Sequence, residues 1–250
     1  KDIFKCNNIL CGHNLTPIFK TDQGFNLRGN ALEKESDADL KEFEKRNESL
    51  LKIFINYLKD TPKPFKFLDF GTGSAHVSRT FKKNLKNDCV IYAIEENTLF
   101  KDLYSKYDLI QIKNLDNLPE KVDLIYMIEV LEHVVDPVAI LKKLYKSLKS
   151  NGTLFISTPL GTNNENFSNA YVEKSHLHFF TKKSLNLALK KSRFTEIKYK
   201  FYSQMYPRPV NSNILIQGIY SVKLLLQILI NKMMPTTSIK HLVGFSKPLL

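Results

Sequence analysis

Cysteine is scarce in this chain. Cys6, Cys11 and Cys89 are too few and too scattered for a disulfide framework, so a reducing compartment, the cytoplasm, is expected. Cys6 and Cys11 are separated by four residues with Gly12 following. They look like half of a zinc ribbon, but no second cysteine pair completes it. No signal peptide is visible, although the chain starts at Lys1 rather than at a methionine. Long uninterrupted apolar runs are missing too. The most apolar stretch, 213–234, carries Lys223 in its middle and is a poor membrane span. It reads as a helix lying on something apolar, either the protein's own core or a lipid interface. Acids are nearly absent from the last part: twelve Lys/Arg against the single Glu196 between Lys182 and Leu250. The net charge of +12 is therefore concentrated there. It suits an anionic partner, whether a lipid surface, a nucleic acid or a phosphorylated substrate, or else a solvated face that keeps the protein soluble.

What is present is an α/β pattern. At 250 residues and 43% hydrophobic content, the chain can form one large domain with a sizeable core. Residues 1–46 read as an irregular segment running into a leading helix at Leu32–Lys59, which Thr61-Pro62-Lys63-Pro64 ends. A methodical alternation follows: strand 65–70, helix 74–85, strand 89–94, a helix near 97–105, a short strand at 108–112 and strand 122–128. Asp136 is the expected N-cap of the next helix and Pro137 its first residue. Val138, Leu141, Leu144, Tyr145 and Leu148 form its buried stripe, with Asn151-Gly152 as the stop and strand 153–157 beyond. The apolar runs look buried on both faces, as in a parallel sheet covered by helices. After Pro159 come a polar, Asn-rich loop at 161–170, a helix capped by Thr181 or Ser184 and running to about Ser192, and an alternating strand at 194–202.

Chemistry-bearing residues collect where these strands end. Asp69-Phe70-Gly71-Thr72-Gly73-Ser74-Ala75 turns a strand directly into a helix, and its glycines let backbone approach a nucleotide-like ligand. A dinucleotide fingerprint needs a third glycine where His76 stands, which argues against a pyrophosphate ligand. Glu95 closes the second strand, where an acid accepts hydrogen bonds from a ribose diol. Asp116, after the third strand, is a candidate for an adenine edge or an ordinary loop residue. Glu129-Val130-Leu131-Glu132-His133 follows the fourth strand.

Leu68-Asp69-Phe70-Gly71-Thr72-Gly73, Ile91–Glu95, Asp123–Pro137, Leu148–Leu154 and His176-x-x-x-Phe180-Thr181-x-x-Ser184-Leu185 together resemble class I S-adenosylmethionine-dependent methyltransferases. The subgroup they resemble includes ubiquinone-biosynthesis O-methyltransferases. The resemblance covers roughly residues 47–200. It implies a Rossmann-like three-layer sandwich whose seven-stranded, mostly parallel sheet has an antiparallel last strand. Strand six would be 194–202 and strand seven 240–246, making 203–236 an insertion within a methyltransferase domain spanning 47–250. By the same resemblance Gly71 and Gly73 pass under the methionine part of the cofactor, Asp69 orients its amino group and Glu95 holds the ribose. Thr72, Asp116 and Met127 complete the expected cofactor set. The family often has glycine at position 75; Ala75 narrows the pocket by one methyl group.

Methyl transfer is an in-line displacement that needs alignment and removal of the acceptor's proton. Histidine suits that removal; His133 and His176 are the candidates, with His178 behind them. The expected reaction is methylation of a small-molecule or lipid-like acceptor at oxygen, with a peripheral membrane contact through the basic, apolar C-terminal part. A second arrangement stays open. Glu129, Glu132 and His133, at i, i+3 and i+4, can share one helical face. With His176 they resemble the divalent-metal site of small-RNA 2′-O-methyltransferases. No RNA-binding module accompanies it, so a nucleic-acid partner is the lesser expectation. A non-catalytic subunit with the same fold is the third.

Overall fold

The computed structural model describes residues 4–5, 13–15, 37–96, 100–161, 176–202 and 241–248. The Cys6/Cys11 pair, all but Gly161 of the loop expected at 161–170 and the apolar stretch expected at 213–234 lie outside them. Two short strands, β1 (Phe4–Lys5) and β2 (Asn14–Leu15), precede the leading helix α1 (Asp37–Tyr57). β3 (Phe65–Phe70) feeds α2 (His76–Leu85), and β4 (Cys89–Ile94) is followed by α3 (Lys101–Lys106) and β5 (Ile110–Gln111). β6 (Val122–Ile128), α4 (Pro137–Ser147) and β7 (Leu148–Pro159) complete the alternation. β8 (His178–Phe179), α5 (Lys182–Lys191), β9 (Phe194–Tyr202) and β10 (His241–Pro248) end the described chain.

The main sheet has seven strands in the order β5-β4-β3-β6-β7-β10-β9. β3 pairs in parallel with β4 on one side and β6 on the other, so the winding direction reverses there and a crevice opens beyond their carboxyl ends. β10 is antiparallel to both β7 and β9, as expected of the last strand. A three-stranded sheet, β1-β2-β8, stands apart from it.

Each face of the main sheet carries its own core. Leu141 and Leu144 of α4 and Leu185 and Leu189 of α5 bury against Leu68, Ile125 and Leu154 on one side. On the other, Leu51 and Phe54 of α1, Leu58 just beyond it and Phe81 of α2 bury against Phe67, Ile91, Leu124 and Tyr126. The Phe54 ring meets Phe81, Tyr126 and Phe155 at centroid distances of 5.4, 5.8 and 4.9 Å. Such wholly buried side chains each contribute about 1.5–3 kcal/mol through removal from water. Asn47, buried on α1, donates to His76 O at 2.8 Å and so ties α1 to the start of α2.

Asp136 caps α4 as expected, its carboxylate accepting from Ala139 N at 2.9 Å, with Pro137 first in the helix. The expected stop at Asn151-Gly152 is corrected. α4 ends at Ser147, and Leu148 already pairs with Val122 in the sheet, so its buried side chain belongs to β7 rather than to the helical stripe. A register shift after that pair brings Thr153 opposite Leu124. Gly152 sits in the irregular stretch because a Cβ there would lie 2.9 Å from Leu148 Cδ2. Between the two cap candidates of α5, Thr181 is the N-cap: its Oγ1 accepts from Ser184 N at 3.1 Å, while Thr181 N donates to Ser184 Oγ at 2.9 Å.

Candidate active site

The glycine turn is built by close approach. Gly71 has φ +80°, and a Cβ there would lie 2.9 Å from Val130 Cγ1 and deeper still inside contact with Cγ2. Gly71 N and Thr72 N both donate to Ile94 O, at 2.9 and 3.1 Å, which locks the turn to the end of β4. The Thr72 hydroxyl donates to Asp69 O at 3.0 Å, so it braces the turn. Gly73 differs: its φ is +50°, yet among the described residues nothing lies within 4 Å of a Cβ built there. Its N–H donates to Glu95 Oε2 at 2.7 Å, and its carbonyl accepts from Tyr104 Oη at 2.7 Å. The structure thus brings Gly71, Thr72, Gly73 and Glu95 together around an open backbone surface. Ala75, wholly buried, has φ +58°, a conformation that glycine adopts without strain.

Asp69 lies beneath the turn rather than on its open side. Ser78 Oγ donates to Asp69 Oδ2 at 2.5 Å and stands 2.6 Å from Tyr126 Oη. Burial pushes the Asp69 carboxyl up to about 7, and the nearby Glu95 charge adds to the rise; the Ser78 and Tyr126 hydroxyls oppose it. Two candidates of the cofactor set are placed elsewhere. Met127 is wholly buried in the core beneath α4 and α5. Asp116 is exposed in a single 3₁₀ turn and lines a shallow cavity with Lys121, Lys143 and Lys146. Neither residue joins the cluster around Gly73.

A second cluster forms beyond β6 and β7. Glu129–Val130 is not helical: Glu129 has φ +56°, and only Leu131–His133 makes a single 3₁₀ turn. The expected shared helical face is therefore corrected. Glu129 turns to β7, where Ser157 Oγ donates to its Oε1 at 2.7 Å. Glu132 is wholly buried and accepts from Thr158 Oγ1 at 3.0 Å. Its other oxygen lies 3.8 Å from His133 Nε2. His176 arrives because Leu177 N donates to Glu132 O at 2.8 Å and Gly161 N donates to Phe180 O at 2.7 Å. The His133 and His176 rings meet edge to face, centroids 4.7 Å apart. Ligand atoms of Glu132, His133 and His176 all lie within 4.8 Å of one another, a set chemically suited to a divalent transition metal. His178 instead packs beside Phe180 with its Nδ1 3.1 Å from His13 Nε2. Burial lowers the His178 pKa, and burial followed by the charge of His178 lowers that of His13 to about 4.

The methyltransferase-domain family matches residues 43–198 of this chain. The chain belongs to that family. Its fold is shared with solved methyltransferases. A SAM-dependent methyltransferase from Archaeoglobus fulgidus superposes with a TM-score of 0.57 at 18% identity, covering 82% of this chain and 94% of that one. Phosphoethanolamine N-methyltransferase 2 from Haemonchus contortus, solved with S-adenosyl-L-methionine, gives 0.58 at 12% identity over 92% of this chain and 61% of its own. Among curated proteins, a tRNA U34 carboxymethyltransferase from Campylobacter hominis is 44% identical over 52 residues, which span 21% of this chain and 18% of that enzyme. This methyltransferase also uses residues that sequence motifs did not single out. Val130 lies within a quoted motif without a role, Thr158 falls just past the expected strand 153–157, and Tyr104 lies in an expected helix. Their roles come from packing between separate elements, which no local spacing announces.

Proposed function

We propose that this methyltransferase uses S-adenosylmethionine to methylate a small-molecule or lipid-like acceptor at oxygen. The observation that carries the reading is the open face of Gly73 beside the Glu95 carboxylate at the end of β4. The turn fits the donor: a glycine without a Cβ neighbour admits a ligand against the backbone, and a carboxylate at the strand end suits a ribose diol. When bound, S-adenosylmethionine supplies an electrophilic methyl group on a cationic sulfur. The chain's own residues align and deprotonate. Gly71 and Gly73 bring backbone to the donor, and His133 or His176 accepts the proton of the acceptor hydroxyl. Glu132 sets a carboxyl oxygen 3.8 Å from His133 Nε2. Calorimetry of the full chain with S-adenosylmethionine tests the donor; absence of binding heat would sink it. His133→Gln and His176→Gln, assayed on catechol-like and lipid-phenol acceptors, test the base.

The outward side of α5 supports a peripheral membrane contact. Lys182, Lys183, Lys190 and Lys191 are exposed there and the helix has no acid. Among the described residues, no helix is long and apolar enough to cross a membrane. Flotation with anionic vesicles checks the contact, which fails if the protein stays at the bottom of the gradient.

One observation favours a second reading, metal-dependent methylation of an RNA ribose: the convergence of Glu132, His133 and His176. The partial kinship with a tRNA-modifying enzyme supports it as well. On this reading the two histidines and Glu132 would hold a divalent ion that acidifies the ribose hydroxyl. Loss of methylation of an RNA oligonucleotide on chelation, restored by Mn²⁺ or Mg²⁺, would replace the first reading with this one.

A further inference from the structure

Within the turn, Gly71 and Thr72 are fixed by backbone, both N–H groups reaching Ile94 O, and Ala75 N donates to Thr72 O at 2.9 Å. The Gly73 peptide unit is held by side chains. Glu95 takes its N–H and Tyr104 gives a proton to its carbonyl, each at 2.7 Å. Both side chains come from beyond β4, one at the strand end and one on α3, whose Tyr104 ring is almost wholly buried. Glycine at φ +50° with open space around it has few steric limits of its own. Its orientation therefore depends on these two hydrogen bonds. On the donor reading above, Glu95 also has to serve the ribose, which leaves the phenol as the contact devoted to the turn.

We infer that Tyr104 is a positioning residue for the donor site: its hydroxyl sets the orientation of the Gly73 carbonyl and thereby the affinity for S-adenosylmethionine. The inference rests on the reading of the glycine turn as the donor site. Tyr104 touches the turn and acts on the ligand only through Gly73. Burial, followed by the charges of Glu95 and Asp69, raises the Tyr104 pKa, so the phenol remains a donor across the pH range in which the protein is handled. A phenylalanine would keep the ring and its packing while removing only the donated proton.

The test compares Tyr104→Phe with Tyr92→Phe in the full chain. Tyr92 is similarly buried, and its hydroxyl donates to Glu120 Oε1 at 2.7 Å, away from the turn. Two readouts are taken: the dissociation constants of S-adenosylmethionine and S-adenosylhomocysteine by calorimetry, and hydrogen exchange of the amides of residues 72–75 in the ligand-free protein. Tyr104→Phe is expected to weaken both ligands roughly three- to tenfold, the effect of one hydrogen bond. It should also speed exchange at 72–75, whereas Tyr92→Phe changes stability without either effect. Equal affinities and equal exchange in Tyr104→Phe and wild type would overturn the inference. So would a loss shared equally by Tyr92→Phe, which would mark a general stability effect. If the wild type binds neither ligand, the donor reading fails, and the exchange data still decide whether Tyr104 holds the turn. If Tyr104→Phe does not fold, the Glu95→Ala protein, which keeps Tyr104 but removes the acceptor of Gly73 N, supplies the exchange comparison. Protection at 72–75 retained there supports the phenol as the hold on Gly73, and its disappearance overturns it.

Discussion

Val130 occupies the space that a side chain on Gly71 would need: its Cγ1 stands 2.9 Å from the position of that absent Cβ, and its Cγ2 stands closer. The residue after β6 thus fixes the shape of the turn after β3. It also stands two residues before Glu132 and three before His133, the start of the second cluster.

The two glycines should therefore fail differently. Gly71→Ala meets both the clash and φ +80°, so a loss of roughly 2–4 kcal/mol in unfolding free energy is expected by urea titration. Val130→Ala in the same chain should recover part of it. Gly73→Ala meets no neighbour among the described residues and should cost only about 1 kcal/mol of strain. Its added methyl group projects into the open face, so affinity for S-adenosylmethionine should drop more than stability does.

Asp69 makes stability depend on pH in a direction opposite to that of most carboxylates. Its pKa is about 7 in the folded chain against 3.8 as a reference. Between these values the folded state holds the proton more tightly, so stability falls as pH rises from 4 to 7 and levels off above. At about 1.4 kcal/mol per unit, the full loss is roughly 4 kcal/mol. Asp69→Asn should flatten this slope and leave the variant more resistant to urea than wild type at pH 8. Parallel slopes in the two proteins would contradict the assignment.

Glu95→Gln keeps an oxygen for Gly73 N while removing the charge. Affinity for S-adenosylmethionine should fall roughly 10- to 100-fold, the scale of hydrogen bonds to a charged group. The melting temperature should stay within a few degrees of wild type. Calorimetry and a thermal melt on the same preparation measure both.

The capping box of α5 offers a test remote from the site. Thr181→Ala removes the acceptor for Ser184 N and should cost about 1 kcal/mol. The change should appear in the urea midpoint and leave donor affinity untouched.

Much of the fold was legible because its signals are local. β3, β4, β6 and the Asp136-Pro137 start of α4 follow from apolar runs, a cap and a proline within a few residues of each other. The end of α4 was misread because Leu148 is apolar in either a helical stripe or a strand, and only its partner Val122 decides between them. Glu129 was grouped with Glu132 by helical spacing, but the chain at Glu129 has φ +56° and the spacing does not apply. Met127 is buried in the core, and Asp116 is exposed beside a shallow lysine-lined cavity. Side-chain direction depends on the neighbours across the sheet, which a single chain does not display in order. Convergence of His133 and His176, by contrast, was visible as two isolated histidines, and the Leu177–Glu132 backbone bond is what joins them.

β10 has one more implication. His241 is the cross-strand partner of Tyr202 on one side and of Pro159 on the other. The chain therefore leaves the sheet and re-enters it at a single rung, on the same edge as the glycine turn. Residues 203–240 begin and end at neighbouring points, like a cassette plugged into one socket. A two-residue hairpin turn can join Tyr202 to His241 in its place. Changes in the length of that segment need not disturb the registry of the strands, because Tyr202 and His241 already stand opposite each other in the sheet.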